Sequence, residues 1–298
     1  AAGRLIEIGV LLLIGVSCVV PDSAEAQTST PEHAVPRVNI ALLEAPTKDP
    51  LRHTRMHQMA TMPLEHLGLV VEYHRLSDGL PDISNRPDVR GVLSWFTATE
   101  RDGALDLLKW LESALDDGKK VVMMGQLGVE VDRSLGALPL ARINRLTRRL
   151  GIDLNGSYVS YPAGAAYTLR DTQVWGFEQV PEFIPPFPVH KAVGADTKVH
   201  LQVGWFGDDG IRSDVVVTNR NGGLVTDGFD AELNPDALVR RWRINPFAFF
   251  RVAFATDDLP KPDTTTLAGR RVFYSHVDGD GWRSVAEVKI DDQPTSAA

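Results

Sequence analysis

Cysteine is almost missing from this chain: Cys18 is the single one among 298 residues. It lies in an N-terminal apolar run, so loss of that run leaves no disulfide, no thiolate nucleophile and no cysteine-bound zinc. Basic charge is short too. Lys and Arg number 31 against 39 Asp and Glu, a net charge of −8, and no sustained basic stripe offers itself to a nucleic acid. The densest basic stretch, Arg142-Ile143-Asn144-Arg145-Leu146-Thr147-Arg148-Arg149, reads as the solvated face of a short helix. Internal repeats and low-complexity tracts are absent. What remains is a soluble globular composition, 43% hydrophobic and 23% charged, long enough for two domains with ordinary cores.

The apolar run Ile8 to Val20 is too short for a comfortable membrane span. Arg4 precedes it, and Ala24-Glu25-Ala26 offers a small-x-small cleavage site before Gln27. Residues 1–26 therefore read as a signal peptide, with an exported product, periplasmic or extracellular, and no stable membrane span after cleavage. A lipoprotein signal would carry Leu three residues before Cys18, where Gly15 stands. Residues 27–36 are polar and Pro-containing, a disordered lead-in.

From residue 37 to 150, strand-like and helix-like segments alternate. Val38 to Leu43, Leu69 to Tyr73, Val89 to Trp95 and Val121 to Met124 read as strands. Leu51 to Leu67 (disturbed at Pro63), Ala104 to Leu115 and Ala141 to Leu150 read as helices. This alternation implies an α/β, flavodoxin-like or Rossmann-like domain built on a mainly parallel sheet. At Gly151 the character changes: helical periodicity fades, and Gly, Pro and aromatic residues rise. Lys198 to Trp205 alternates with period two, and Asn219-Arg220-Asn221-Gly222-Gly223 is a hairpin turn between Asp214–Thr218 and Leu224–Thr226. Residues 151–256 are expected to form a β-rich domain ending in a helix, with Asn245 as N-cap, Pro246 at its first position and Phe247, Phe249, Phe250 and Phe254 in the core. A linker at 257–268, with Pro260 and Pro262, precedes 269–298.

A parallel sheet places ligand sites at the carboxyl ends of its strands. Those ends read Leu43-Glu44-Ala45-Pro46, Trp95-Phe96-Thr97 and Met124-Gly125-Gln126-Leu127-Gly128. The last has the position of a strand-to-helix elbow but carries no thiol or hydroxyl to serve as nucleophile, and it is a poor dinucleotide fingerprint. His53 and His57, at i and i+4, share a face if that segment is helical, yet lack a third ligand and read as exposed. Trp175, Trp205 and Phe206 are aromatic candidates for sugar stacking, with burial as the plainer reading.

The segment that looks built for chemistry is Val272-Phe273-Tyr274-Ser275-His276-Val277-Asp278-Gly279-Asp280-Gly281-Trp282. On a strand, Asp278 and Asp280 face the same way and can converge on one metal or water. A calcium-loop reading fails, because His276 stands at its first position and the preceding residues are β-branched and aromatic. With Gly269-Arg270-Arg271 before it, this segment resembles the first motif of the exported, Pel-deacetylase-like branch of the NodB-homology polysaccharide deacetylases. Met62-Pro63-Leu64-Glu65-His66-Leu67-Gly68, Gly91-Val92-Leu93-Ser94-Trp95-Phe96 and Ile244-Asn245-Pro246-Phe247-Ala248-Phe249-Phe250 are similar to the same branch's pre-catalytic region.

The resemblance implies Asp278 as the base, Asp280 as ligand to a divalent metal such as zinc, and His276 and Trp282 as substrate contacts. It also implies that 269–298 begins a (β/α)-barrel. The partners implied are a polysaccharide substrate and an exopolysaccharide secretion machinery, and the reaction is removal of N-acetyl groups. Gly279 separates the two aspartates, as in that branch. The His-(Ser/Thr)-x-x-His motif that completes the family's metal site does not follow before Ala298. The expectation is therefore the front part of such an enzyme, inactive by itself. The alternative is a non-catalytic carbohydrate-binding or scaffolding module.

Overall fold

A computed structural model describes residues 35–44, 50–181, 183–205, 210–234, 239–261, 285–290 and 293–296. The expected signal segment at 1–26, the strand at Val272–Tyr274 and the motif residues His276, Asp278, Asp280 and Trp282 lie outside them, as does Phe206.

The first half runs β1 (Val38–Leu43), α1 (Thr61–His66), β2 (Val70–Arg75), β3 (Val89–Phe96), β4 (Glu100–Arg101), α2 (Ala104–Asp116), β5 (Lys120–Gly125), β6 (Val131–Asp132), β7 (Gly136–Ala137) and α3 (Leu140–Thr147). The second half adds β8 (Ile152–Val159), β9 (Ala166–Arg170), β10 (Phe187–Ala192), β11 (Lys198–Trp205), β12 (Ile211–Asn219), β13 (Gly222–Thr226), β14 (Ala231–Asn234), β15 (Val239–Trp242) and α4 (Pro246–Ala253). An antiparallel pair, β16 (Val285–Ile290) and β17 (Gln293–Ser296), closes the described chain.

One eight-stranded sheet, in the order β2-β1-β3-β5-β13-β12-β11-β9, organises the α/β fold. The pairs from β2 through β13 are parallel, and those from β13 through β9 are antiparallel. The expected domain boundary at Gly151 therefore falls inside a shared sheet. Gly222↔Val121 through Thr226↔Gly125 join the two halves strand to strand. The change in composition marks the passage from parallel to antiparallel pairing. A hairpin needs only a tight turn, such as the one between Asn219 and Gly222, whereas the parallel strands need crossovers that carry helices.

The strands bury both faces, as side chains of period two require. Ile40, Leu42, Val92, Val121 and Met123 face α2 and α3. Ala41, Leu43, Leu93, Val122 and Met124 face α1 and α4. In α2, Leu107, Leu108, Leu111 and Leu115 recur at three- and four-residue steps and form its apolar stripe. The basic stretch on and after α3 is neutralised: Arg142 pairs with Glu112 at 2.5 Å, Arg148 with Asp153 and Arg149 with Asp116.

Phe249, Phe250 and Phe254 are fully buried, and the Asn245 carboxamide oxygen accepts the amides of Phe247 and Ala248 at 3.1 and 3.2 Å. Asn245→Ala should cost about 1 kcal/mol of unfolding free energy in a urea titration, because two amides of the first turn lose their acceptor. The start of the expected linker is packed against the body, with Leu259 buried and the Arg90 guanidinium bonded to Asp258 and to the carbonyls of Phe254 and Ala255.

The helix expected over Leu51 to Leu67 is broken into three pieces. A 3-10 turn at Leu51–His53 ends on an extended Thr54, and a π turn at Met56–Ala60 leads into α1. Pro63 can donate no amide hydrogen and crowds the carbonyl four residues back, so the widened turn before it accommodates the ring. His53 and His57 consequently do not share one helical face.

Candidate functional site

The carboxyl ends of β5 and β13 open into a cleft of about 290 Å³. β5 ends at Gly125, whose φ of +70° turns the chain sharply into Gln126-Leu127-Gly128. This is elbow geometry, yet a β-carbon at Gly125 would lie 2.4 Å from the Phe96 carbonyl oxygen. No side chain can stand at Gly125 itself without moving β3, whereas the next two residues, Gln126 and Leu127, carry side chains that line the cleft. The sequence shows the elbow lacking a nucleophile, since Gln126 and Leu127 follow Gly125 in the turn.

The amides of that turn point at a carboxylate from the same loop. Val129 N–H donates to Glu130 Oε2 at 3.0 Å, and the amides of Leu127, Gly128 and Glu130 also stabilise the charged form. Burial is the larger effect and pushes the Glu130 carboxyl up. Arg101 braces the loop from below: its Nε donates to the Gly128 carbonyl at 2.6 Å, and its guanidinium lies 3.8 Å over the Phe96 ring. A loop tied this way presents its groups from a fixed backbone.

Opposite the elbow, the β8–β10 ribbon supplies the other wall with Leu154, Gly156, Ser157, Tyr158, Pro188 and His190. Tyr158 is 60% exposed there, an open aromatic face. Gln126 Nε2 donates to Asp227 Oδ2 at 2.7 Å across the ends of the two parallel strands. His190 is buried, with Nδ1 3.4 Å from the Thr226 hydroxyl, and burial pulls its imidazole down to about 4. It is neutral at neutral pH. The cleft is thus mostly apolar, with a few hydrogen-bonding groups at fixed positions, which suits reversible binding of a neutral polar ligand.

The other sequence candidates fall elsewhere. Trp175 is core, packed between Tyr167 and Phe229. Trp205 is half-buried and donates its Nε1 hydrogen to the Ala163 carbonyl at 3.0 Å. His57 is exposed and hydrogen-bonded to the Tyr73 hydroxyl at 2.9 Å. Among the described residues, no cluster of three His, Cys, Asp or Glu side chains is placed to hold a metal. Asp278 and Asp280 are outside that set. Sequence reasoning found the strand end at Gly125–Gly128 but missed Tyr158, His190 and Asp227, which no local pattern marks. The chain matches no protein-family model and no curated protein.

Proposed function

We propose that this chain is the front part of an exported, metal-dependent polysaccharide deacetylase, in which residues 35–261 form a non-catalytic saccharide-binding module ahead of the chemistry. The observation that carries the binding role is the cleft at the ends of β5 and β13, whose elbow carries no nucleophile. Tyr158 offers a face for a sugar ring, and Gln126 and Asp227 offer donors and acceptors for hydroxyl and acetamido groups. The finer fold reading is a flavodoxin-like kernel. The parallel order β2-β1-β3-β5-β13, with β13 in the fifth place, supports it.

The deacetylase reading rests on the resemblance of the segment around Asp278 and Asp280. A metal held by Asp280 would polarise the acetamide carbonyl and acidify water, with Asp278 as base. Calorimetric titration with N-acetylglucosamine oligosaccharides tests the module. Saturable binding is expected, weakened at least tenfold by Asp227→Ala and by Tyr158→Ala with an unchanged unfolding midpoint. Binding indifferent to both substitutions, or none by the wild type, overturns the assignment.

A further inference from the structure

A second cavity, of about 210 Å³, lies at the ends of β1 and β3 and is lined by Glu44, His53, Arg55, Trp95, Thr97 and Arg240 among others. In the strand order β2-β1-β3, the chain leaves β1 on one side and returns on the other, so this cavity marks the topological switch point of the sheet. Ligands of open parallel sheets gather at that point, because the loops after the two strands diverge and leave a crevice. The two cavities lie on the same carboxyl edge, about two inter-strand spacings or ~10 Å apart.

The cavity's charges are unusual. Arg55 and Arg240 are both half-buried, and neither has an ion pair or side-chain hydrogen bond among the described residues. Arg55 lies 5.3 Å over the Trp95 ring, a contact that orients a guanidinium without neutralising it. Among the described residues, Glu44 and Asp230 are already engaged. Glu44 accepts the amide and hydroxyl hydrogens of Thr97 at 2.9 and 2.6 Å and lies 3.9 Å from Arg101. Asp230 is buried and accepts the Trp95 indole hydrogen at 2.5 Å. Burial, then the neighbouring Arg55, pulls the Arg240 guanidinium down, with Asp230 opposing. Two partly desolvated cations facing one cavity repel each other, and an anion between them relieves both the repulsion and the lost hydration.

We propose that Arg55 and Arg240 clamp the carboxylate of an acidic sugar unit, so that the ligand of this module is an anionic polysaccharide reaching from the β5–β13 cleft to the switch point. The proposal rests on the saccharide-binding reading of that cleft. Guanidinium groups match a planar carboxylate through paired N–H donors, which gives orientation as well as charge.

The test compares an oligosaccharide alternating N-acetylglucosamine with glucuronate against the same oligosaccharide with its carboxyls reduced to alcohols, by calorimetry at low salt. The acidic form should bind at least tenfold more tightly. Arg55→Gln and Arg240→Gln should each abolish that preference while leaving affinity for the reduced form unchanged, and Arg→Lys at either position should keep part of it. Equal affinity for the two forms, or a preference surviving both glutamine variants, overturns the proposal and leaves the cleft assignment standing. Failure of the wild type to bind either form sinks both. Inorganic phosphate binding that depends on the two arginines, with no gain for the acidic sugar, would assign the pair to a free oxyanion and overturn the saccharide claim.

Discussion

Gly222→Ala should destabilise the protein by roughly 3–5 kcal/mol and separate the two halves of its sheet. Gly222 begins β13 with φ at +143°, and an added β-carbon would sit 1.8 Å from the carbonyl oxygen of Val121. That atom belongs to the backbone of the neighbouring strand, so no side-chain rotation relieves the clash. The backbone φ at that position must change as well, since L side chains rarely adopt it. Either adjustment pulls β13 off β5 along the register Gly222↔Val121 to Thr226↔Gly125 and loosens the floor of the cleft. Urea unfolding followed by far-UV circular dichroism would read the loss. A cost below about 1 kcal/mol would mean that β13 is not anchored on β5 as the fold requires.

Acid should destabilise the protein in part through His190. Burial pulls this imidazole from 6.5 to about 4, so between those values the unfolded chain takes up a proton that the folded chain refuses. Stability is therefore full above pH 6.5 and falls as pH drops to about 4, by about 3 kcal/mol for a shift of this size. His200 is also pulled down, first by burial, against the hydrogen bond its Nδ1 makes to the Asp171 carboxylate, and contributes with the same sign. Asp230 and Glu130 are pushed up by burial and act with the opposite sign, because their folded forms hold protons more tightly than the unfolded chain does. The difference between wild type and His190→Gln isolates the histidine. Plotted against pH, that difference should be flat above 6.5 and change by about 3 kcal/mol down to pH 4. A difference curve flat throughout would show that His190 is protonated in the fold as readily as in the unfolded chain.

Much of the local structure was legible because periodicity and capping are local. The pattern of Ala104 to Leu115 specified α2, Asn245-Pro246 specified the start of α4, and the two glycines after Asn221 marked the hairpin from β12 to β13. His53 and His57 misled for a related reason. Their spacing assumes continuous helix, and the extended Thr54 between them breaks it. Arg55, in the same five residues, lines the switch-point cavity together with His53.

The pairing of β13 with β5 was not legible at all. It joins residues 222–226 to 121–125 across about a hundred positions, and nothing in either strand names its neighbour. Without that pairing the aromatic second half reads as a separate domain. With it, Asp227 comes to Gln126 and His190 to the cleft wall. The sequence by itself determined that this chain has a buried parallel core and an elbow without a nucleophile, and it set Asp278 and Asp280 two residues apart. Only the tertiary structure decided where a ligand can lie. Cavities are made by residues from distant strands, and their charge balance depends on which acids other groups have already engaged.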